Sequence, residues 1–124
     1  SLNRLFDTPS NYVRELESVD LISGITSFWD ETRALYAKMG EYFVTARRKG
    51  DTWYIGGITD WQERDIELDF SFLKGKICQG LLYEDGINAH RIGRDFHLKL
   101  IHVDENTRLT VHLAPGGGFA IRMR

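Results

Sequence analysis

From Thr26 onward, apolar and polar positions alternate in short runs broken by turn residues. Arg64–Phe72 is the cleanest run: Ile66, Leu68 and Phe70 share one parity, and Asp65, Glu67, Asp69 and Ser71 share the other. That spacing predicts a strand with one face in a core and one in water. Further strands are predicted at Thr26–Tyr36, Glu41–Arg48, Thr52–Thr59, Ile77–Glu84, Phe96–Val103, Arg108–Ala114 and Phe119–Met123. Lys49-Gly50-Asp51 reads as a hairpin turn, and Lys74-Gly75-Lys76, Asp85-Gly86 and Pro115-Gly116-Gly117-Gly118 as chain reversals. Asn88–Arg94 reads as loop. The Gly56-Gly57 pair inside a strand run suggests a bulge or a close approach by another backbone. About eight short strands at roughly 8–12-residue spacing predict an all-β fold, an antiparallel sandwich or barrel.

Residues 1–25 follow a different period. Tyr12, Leu16, Val19 and Ile22 lie on one helical face, Ser10 or Asn11 can cap its start, and Gly24 can stop it. The expected division is therefore a short helical segment over 1–25 and a β-sandwich over 26–124. Such a helix either caps the chain's own sheet or belongs to a neighbouring domain.

Composition narrows the classes of function. A chain of 124 residues suits one domain, and 16 basic against 18 acidic residues give a net charge of −2. With no basic excess or stripe, nucleic acid is not an expected partner. No apolar run approaches the roughly 20 residues that cross a bilayer, so no membrane association is expected. The lone cysteine, Cys78, cannot form an internal disulfide or a cysteine-based zinc site, and is expected to be an inert strand residue. Residue 1 is Ser rather than Met, and no apolar signal segment opens the chain. We expect a processed chain or a piece of a longer one.

Candidate chemistry is sparse. Asp30-Glu31, Glu63/Asp65 and Glu84/Asp85 are the carboxylate pairs. Adjacent strand residues point to opposite faces, so Asp30 and Glu31 cannot flank one bond, and Glu63 and Asp65 share the face expected to be solvated. Of His90, His97, His102 and His112, the second and third differ in parity, and His112 could be a cross-strand neighbour of either. Gly116-Gly117-Gly118 lacks the Lys-Ser/Thr and helix of a phosphate-binding loop. Trp53 is expected in the core. Trp29 and Trp61 are the candidates for a sugar or interdomain contact, Trp61 being the better placed for exposure. No catalytic, cofactor-binding or metal-ligating residue is expected in this chain.

Several segments taken together carry a resemblance. They are Phe28-Trp29-Asp30-Glu31-Thr32-Arg33, Gly40-Glu41-Tyr42, Ala46-Arg47-Arg48-Lys49-Gly50-Asp51-Thr52-Trp53-Tyr54 and Gly56-Gly57-Ile58-Thr59-Asp60-Trp61. Leu68-Asp69-Phe70-Ser71-Phe72-Leu73, Asp85-Gly86-Ile87-Asn88-Ala89 and Ala114-Pro115-Gly116-Gly117-Gly118-Phe119-Ala120-Ile121 follow in order. The set resembles the C-terminal domain of glycoside hydrolase family 97, which includes α-glucosidases and α-galactosidases. Asp7-Thr8-Pro9-Ser10-Asn11-Tyr12 is similar to the end of that family's catalytic barrel. One departure is Leu35-Tyr36-Ala37-Lys38, where relatives tend to carry a Leu-Asp-Gly turn.

The resemblance implies a three-part enzyme: an N-terminal β-sandwich, a catalytic (β/α)₈ barrel carrying the carboxylates, and a C-terminal sandwich. It implies calcium in the parent enzyme and no cofactor in this fragment. It also implies a periplasmic location, a partner in the catalytic barrel of the same chain, and homo-oligomerisation. The expected role is then non-catalytic: barrel support and oligomerisation. A docking strip involving Tyr12, Leu16 or Trp29 should lie exposed on the isolated chain. The rival readings are a carbohydrate-binding module, which needs two or more aromatics in an open groove, and a small independent enzyme.

Overall fold

The computed structural model describes residues 29–38, 41–85 and 96–124. The expected helix over 1–25 and the expected loop at 88–94 lie outside the described residues. So do Tyr12 and Leu16.

Eight antiparallel strands form two sheets. They are β1 (Glu31–Lys38), β2 (Tyr42–Lys49), β3 (Thr52–Thr59), β4 (Arg64–Asp69), β5 (Cys78–Asp85), β6 (Phe96–Val103), β7 (Arg108–Leu113) and β8 (Gly118–Met123). The larger sheet has the order β1-β2-β3-β8-β5-β6, and β4 pairs with β7 in the smaller. The expected all-β sandwich is what the chain forms. The strands at Thr52–Thr59 and Phe96–Val103 have the bounds that the alternation predicts. The run at Arg64–Phe72 ends early, because a single 3₁₀ turn takes over at Ser71–Leu73.

One face of the larger sheet carries Val44, Ala46, Trp53, Ile55, Leu82, Ile101, Phe119, Ile121 and Met123, all buried. The smaller sheet meets it with Ile66, Leu68, Val111 and Leu113. Phe70 and Leu73, from the turn after β4, close the core, and Phe72 stacks edge-on to Trp53 at 4.8 Å between centroids. Burying side chains of this size contributes about 1.5–3 kcal/mol each before the entropy of ordering is subtracted.

Glycine acts in two distinct ways. Gly50 takes φ +59° in the β2–β3 turn, a left-handed conformation that side chains disfavour. Gly57 is different, since β3 runs through it without a break in register against either neighbour. A Cβ there would lie 2.5 Å from Cε1 of Phe119. The expected bulge at Gly56-Gly57 is therefore absent, and the close approach is by an aromatic ring rather than a backbone. The register shift falls in β1 instead, between Ala34 and Tyr36. β1 continues to Lys38, past the end at Tyr36 that the alternation predicts.

Candidate functional site

The acidic pairs are absorbed by local structure. Asp30 accepts the Gly50 N–H at 2.7 Å and lies 3.9 Å from Arg48, so it fastens the start of β1 to the β2–β3 turn. The Gly50 N–H, helped by Lys49 and Arg48, holds its carboxyl below the usual range. Glu31 pairs with Arg33 and accepts from Arg48 Nε at 3.4 Å, and the Arg33 hydrogen bond leads in lowering its pKa. Asp60 and Asp69 each accept the backbone N–H two residues on, from Gln62 and Ser71. Those N–H groups are the main reason both carboxyls sit low.

Glu63 and Asp65 meet His112. The histidine faces Asp65 across the β4–β7 pair, with Nδ1 at 2.9 Å from Asp65 and Nε2 at 3.6 Å from Glu63. It is no cross-strand neighbour of His97 or His102, because β6 belongs to the other sheet. Both carboxylates stand largely in water, as the alternation predicts, and water screens what they could do to a bound group. Glu84 is the buried exception, 5% exposed. It pairs with Lys99 at 3.1 Å and accepts the His112 backbone N–H at 3.0 Å. Among the described residues, no three His, Cys, Asp or Glu side chains converge as a cation site. Cys78 is buried, and desolvation pushes its thiol pKa up, which disfavours the reactive thiolate.

The two candidate tryptophans have different fates. Trp29 is buried, its ring 5.3 Å from that of Tyr54 and beneath the Arg47 guanidinium at 5.9 Å. Its expected place in an exposed docking strip is corrected: the outer face of β2 and β3 already takes it up. Trp61 is 86% exposed. Its loop is held firmly, since Asp60 N–H donates to Glu41 O, Gly116 N–H donates to Asp60 O, and Thr59 N–H donates to Gly117 O. Arg64 adds bonds to Thr59 at 2.9 Å and Asp60 at 3.3 Å, and lies over the Tyr42 ring at 5.1 Å. The indole rests against Gly116, where a Cβ would lie 3.1 Å from Cζ3. Trp29 packs near the start of β3 and Trp61 follows its end. Along a strand of that length they are on the order of 15–20 Å apart. They do not share a groove.

A second exposed feature lies on the face of the larger sheet turned away from the core. Leu81 of β5 stands directly opposite Leu100 of β6, and Leu98 follows one step along the same face. All three are exposed large apolar side chains, at 40%, 80% and 46% for Leu81, Leu100 and Leu98.

Residues 28–124 match the model of a protein family described as the glycosyl-hydrolase 97 C-terminal domain, oligomerisation. The chain belongs to this family 97 C-terminal domain. It is 57% identical over 122 residues to a retaining α-galactosidase of Bacteroides thetaiotaomicron, a match covering 98% of this chain and 18% of that one. Its fold is similar to a glycoside hydrolase family 97 enzyme of Pseudoalteromonas sp. strain K8 solved with panose. That match has a TM-score of 0.72 and 34% identity, and covers 92% of this chain and 19% of that chain. A β-arabinopyranosidase matches with a TM-score of 0.62 at 29% identity, over 90% of this chain and 17% of the other. The chain thus spans about a fifth of the length of these relatives.

The resemblance read in the sequence is therefore correct, and the role in oligomerisation follows from the family. The exposed leucines of this family 97 domain were missed. The signal was present in FHLKLIHV: Leu98 and Leu100 have one parity, and Ile101 and Val103 the other. A strand apolar on both faces is covered on both faces or waits for cover.

Proposed function

We propose that this domain is the non-catalytic C-terminal part of an exo-acting α-glycosidase that removes terminal α-linked galactose or glucose. The domain supports the catalytic barrel of its own chain and joins copies of the enzyme. The observation that carries the reading is the 57% identity to a retaining α-galactosidase across nearly the whole chain. The reacting carboxylates and the calcium belong, on this reading, to the parts of the enzyme beyond this domain, and the enzyme acts in the periplasm. The test is hydrolysis by the full-length enzyme of aryl α-galactosides and aryl α-glucosides, with and without a calcium chelator. Cell fractionation tests the location. Release of either sugar that the chelator abolishes supports the reading, and failure on both substrates overturns it.

The 86% exposure of Trp61 favours one further role, a single-aromatic sugar contact. Isothermal titration of maltooligosaccharides and α-galactosides into this domain tests it. Heat that disappears in Trp61→Ala supports the sugar contact, and no heat supports a purely structural domain.

A further inference from the structure

The outer face of the six-stranded sheet is closed over one part and open over another. Thr45 of β2, Ala120 of β8 and Tyr83 of β5 lie on that face and are buried, as is Trp29 against Tyr54. Arg122, on the same face, lies 6.0 Å from the Tyr54 ring. Past Tyr83 the face opens onto Leu98, Leu81 and Leu100. Cross-strand partners such as Leu81 and Leu100 hold their Cβ atoms roughly 4.5–5.5 Å apart, so the three leucines form one apolar surface. Phe43, Ile77 and Trp61, also exposed, lie away from it: Phe43 is on β2 at the other side of the same face, Ile77 precedes β5 and Trp61 follows β3. Scattered apolar residues are ordinary on a protein surface, but a contiguous cluster on a sheet face marks a contact.

We propose that this face, anchored by Leu98, Leu100 and Leu81, is where two copies of the enzyme pack together about a two-fold axis. The proposal rests on the family's oligomerisation role and assigns that role a surface. Three features favour a second copy as the occupant. The patch is apolar and self-complementary, as an isologous contact requires. The leucines' neighbours on that face are Gln79, Tyr83, His102 and, across the β5–β8 pair, Arg122, with Asp85 at the end of β5, so the rim carries both signs of charge and a face that meets itself does not set only like charges together. Among the described residues β6 is the edge of the sheet, so Leu100 sits where a second molecule can reach it unobstructed. The contact is face to face rather than edge to edge. Pairing two β6 edges about Lys99 would bring two like charges together, and Lys99 is turned to the other face, where it is held by Glu84. A stable interface buries about 800 Å² on each partner, so the leucines are its core and the flanking residues its rim.

The test is light scattering of the full-length enzyme with Leu98→Glu and Leu100→Glu combined, beside Ile77→Glu as a control. Circular dichroism and protease resistance report folding. The expected result is a multi-chain wild type, a folded single-chain double variant with the dissociation constant raised at least about a hundredfold, and an unchanged control. A double variant that keeps the wild-type mass overturns the assignment. So does loss of mass in the Ile77→Glu control alone. A double variant that loses structure or becomes protease-sensitive shows that the face seats the enzyme's own catalytic domain, and also overturns it. A single-chain wild type overturns the oligomerisation reading itself, and the assigned surface with it.

Discussion

Glu84 on β5 accepts a hydrogen bond from the backbone N–H of His112 on β7, 3.0 Å away, and so ties the two sheets together through a buried carboxylate. Lys99 completes the pairing from β6 at 3.1 Å. Removing one partner of a buried polar group costs more than the bond itself contributes, because the other is left desolvated. Glu84→Ala should destabilise the domain by about 1–3 kcal/mol. Glu84→Gln keeps an acceptor for the His112 amide and should cost less. Urea unfolding of both variants checks the order.

Gly57 and Gly80 are close-packed for different reasons. A methyl at Gly57 meets the ring of Phe119 at 2.5 Å and Val44 at 3.0 Å, both side chains that can shift. Gly57→Ala should cost about 1–3 kcal/mol, the usual range for overpacking. A methyl at Gly80 meets the carbonyl oxygen of Arg122 at 1.9 Å, which forces β5 and β8 apart. Gly80→Ala should lower the melting temperature by more than Gly57→Ala, as calorimetry would show.

The two tryptophans after Trp29 should differ sharply. Trp53 is in the core against Phe72, so Trp53→Ala should cost about 3–5 kcal/mol. Trp61→Ala removes an exposed ring and should change stability by less than about 0.5 kcal/mol. An equal loss in both, measured by chemical denaturation, would mean that the Trp61 loop is structural.

Acid should weaken the fold through the turn carboxylates. Asp30, Asp60 and Asp69 are each lowered first by a backbone N–H, and Glu31 by Arg33. A depressed folded-state pKa gives stability that is complete above the ordinary carboxylate range and is lost as pH falls through the depressed value. Unfolding free energy should therefore hold between about pH 7 and 5 as far as these groups are concerned, and fall below about pH 4. Asp30→Asn combined with Asp69→Asn should make the acid limb shallower, and a pH series of thermal melts would show it. Because these groups reach water in part or whole, added salt should shrink the effect.

Strand positions were legible because each strand has one buried face, which writes a period of two into the sequence. Ile66, Leu68 and Phe70 announced the inner face of β4, and Asp65 and Glu67 its wet side, as the structure bears out. Strand ends were less legible. Phe70 continues the alternation into a 3₁₀ turn, which buries it equally well. The pairing of His112 with Asp65 was hidden because partition between sheets is a long-range property, and parity is a local one. The inward aim of Glu84 was hidden for a related reason, whereas β6 shows apolar residues at both parities without saying which pair, Leu98 and Leu100 or Ile101 and Val103, faces the core. Glu84 and the two leucines break the rule that links polarity to depth: one serves an inter-sheet tie, the others an open face.

On the proposed function, residues 28–124 join copies of a longer enzyme whose chemistry lies outside them. Sedimentation velocity of the full-length enzyme, beside the same enzyme lacking residues 28–124, tests it most directly. We predict a multi-chain mass for the intact enzyme and a smaller assembly for the shortened one. Equal numbers of chains in the two would contradict it.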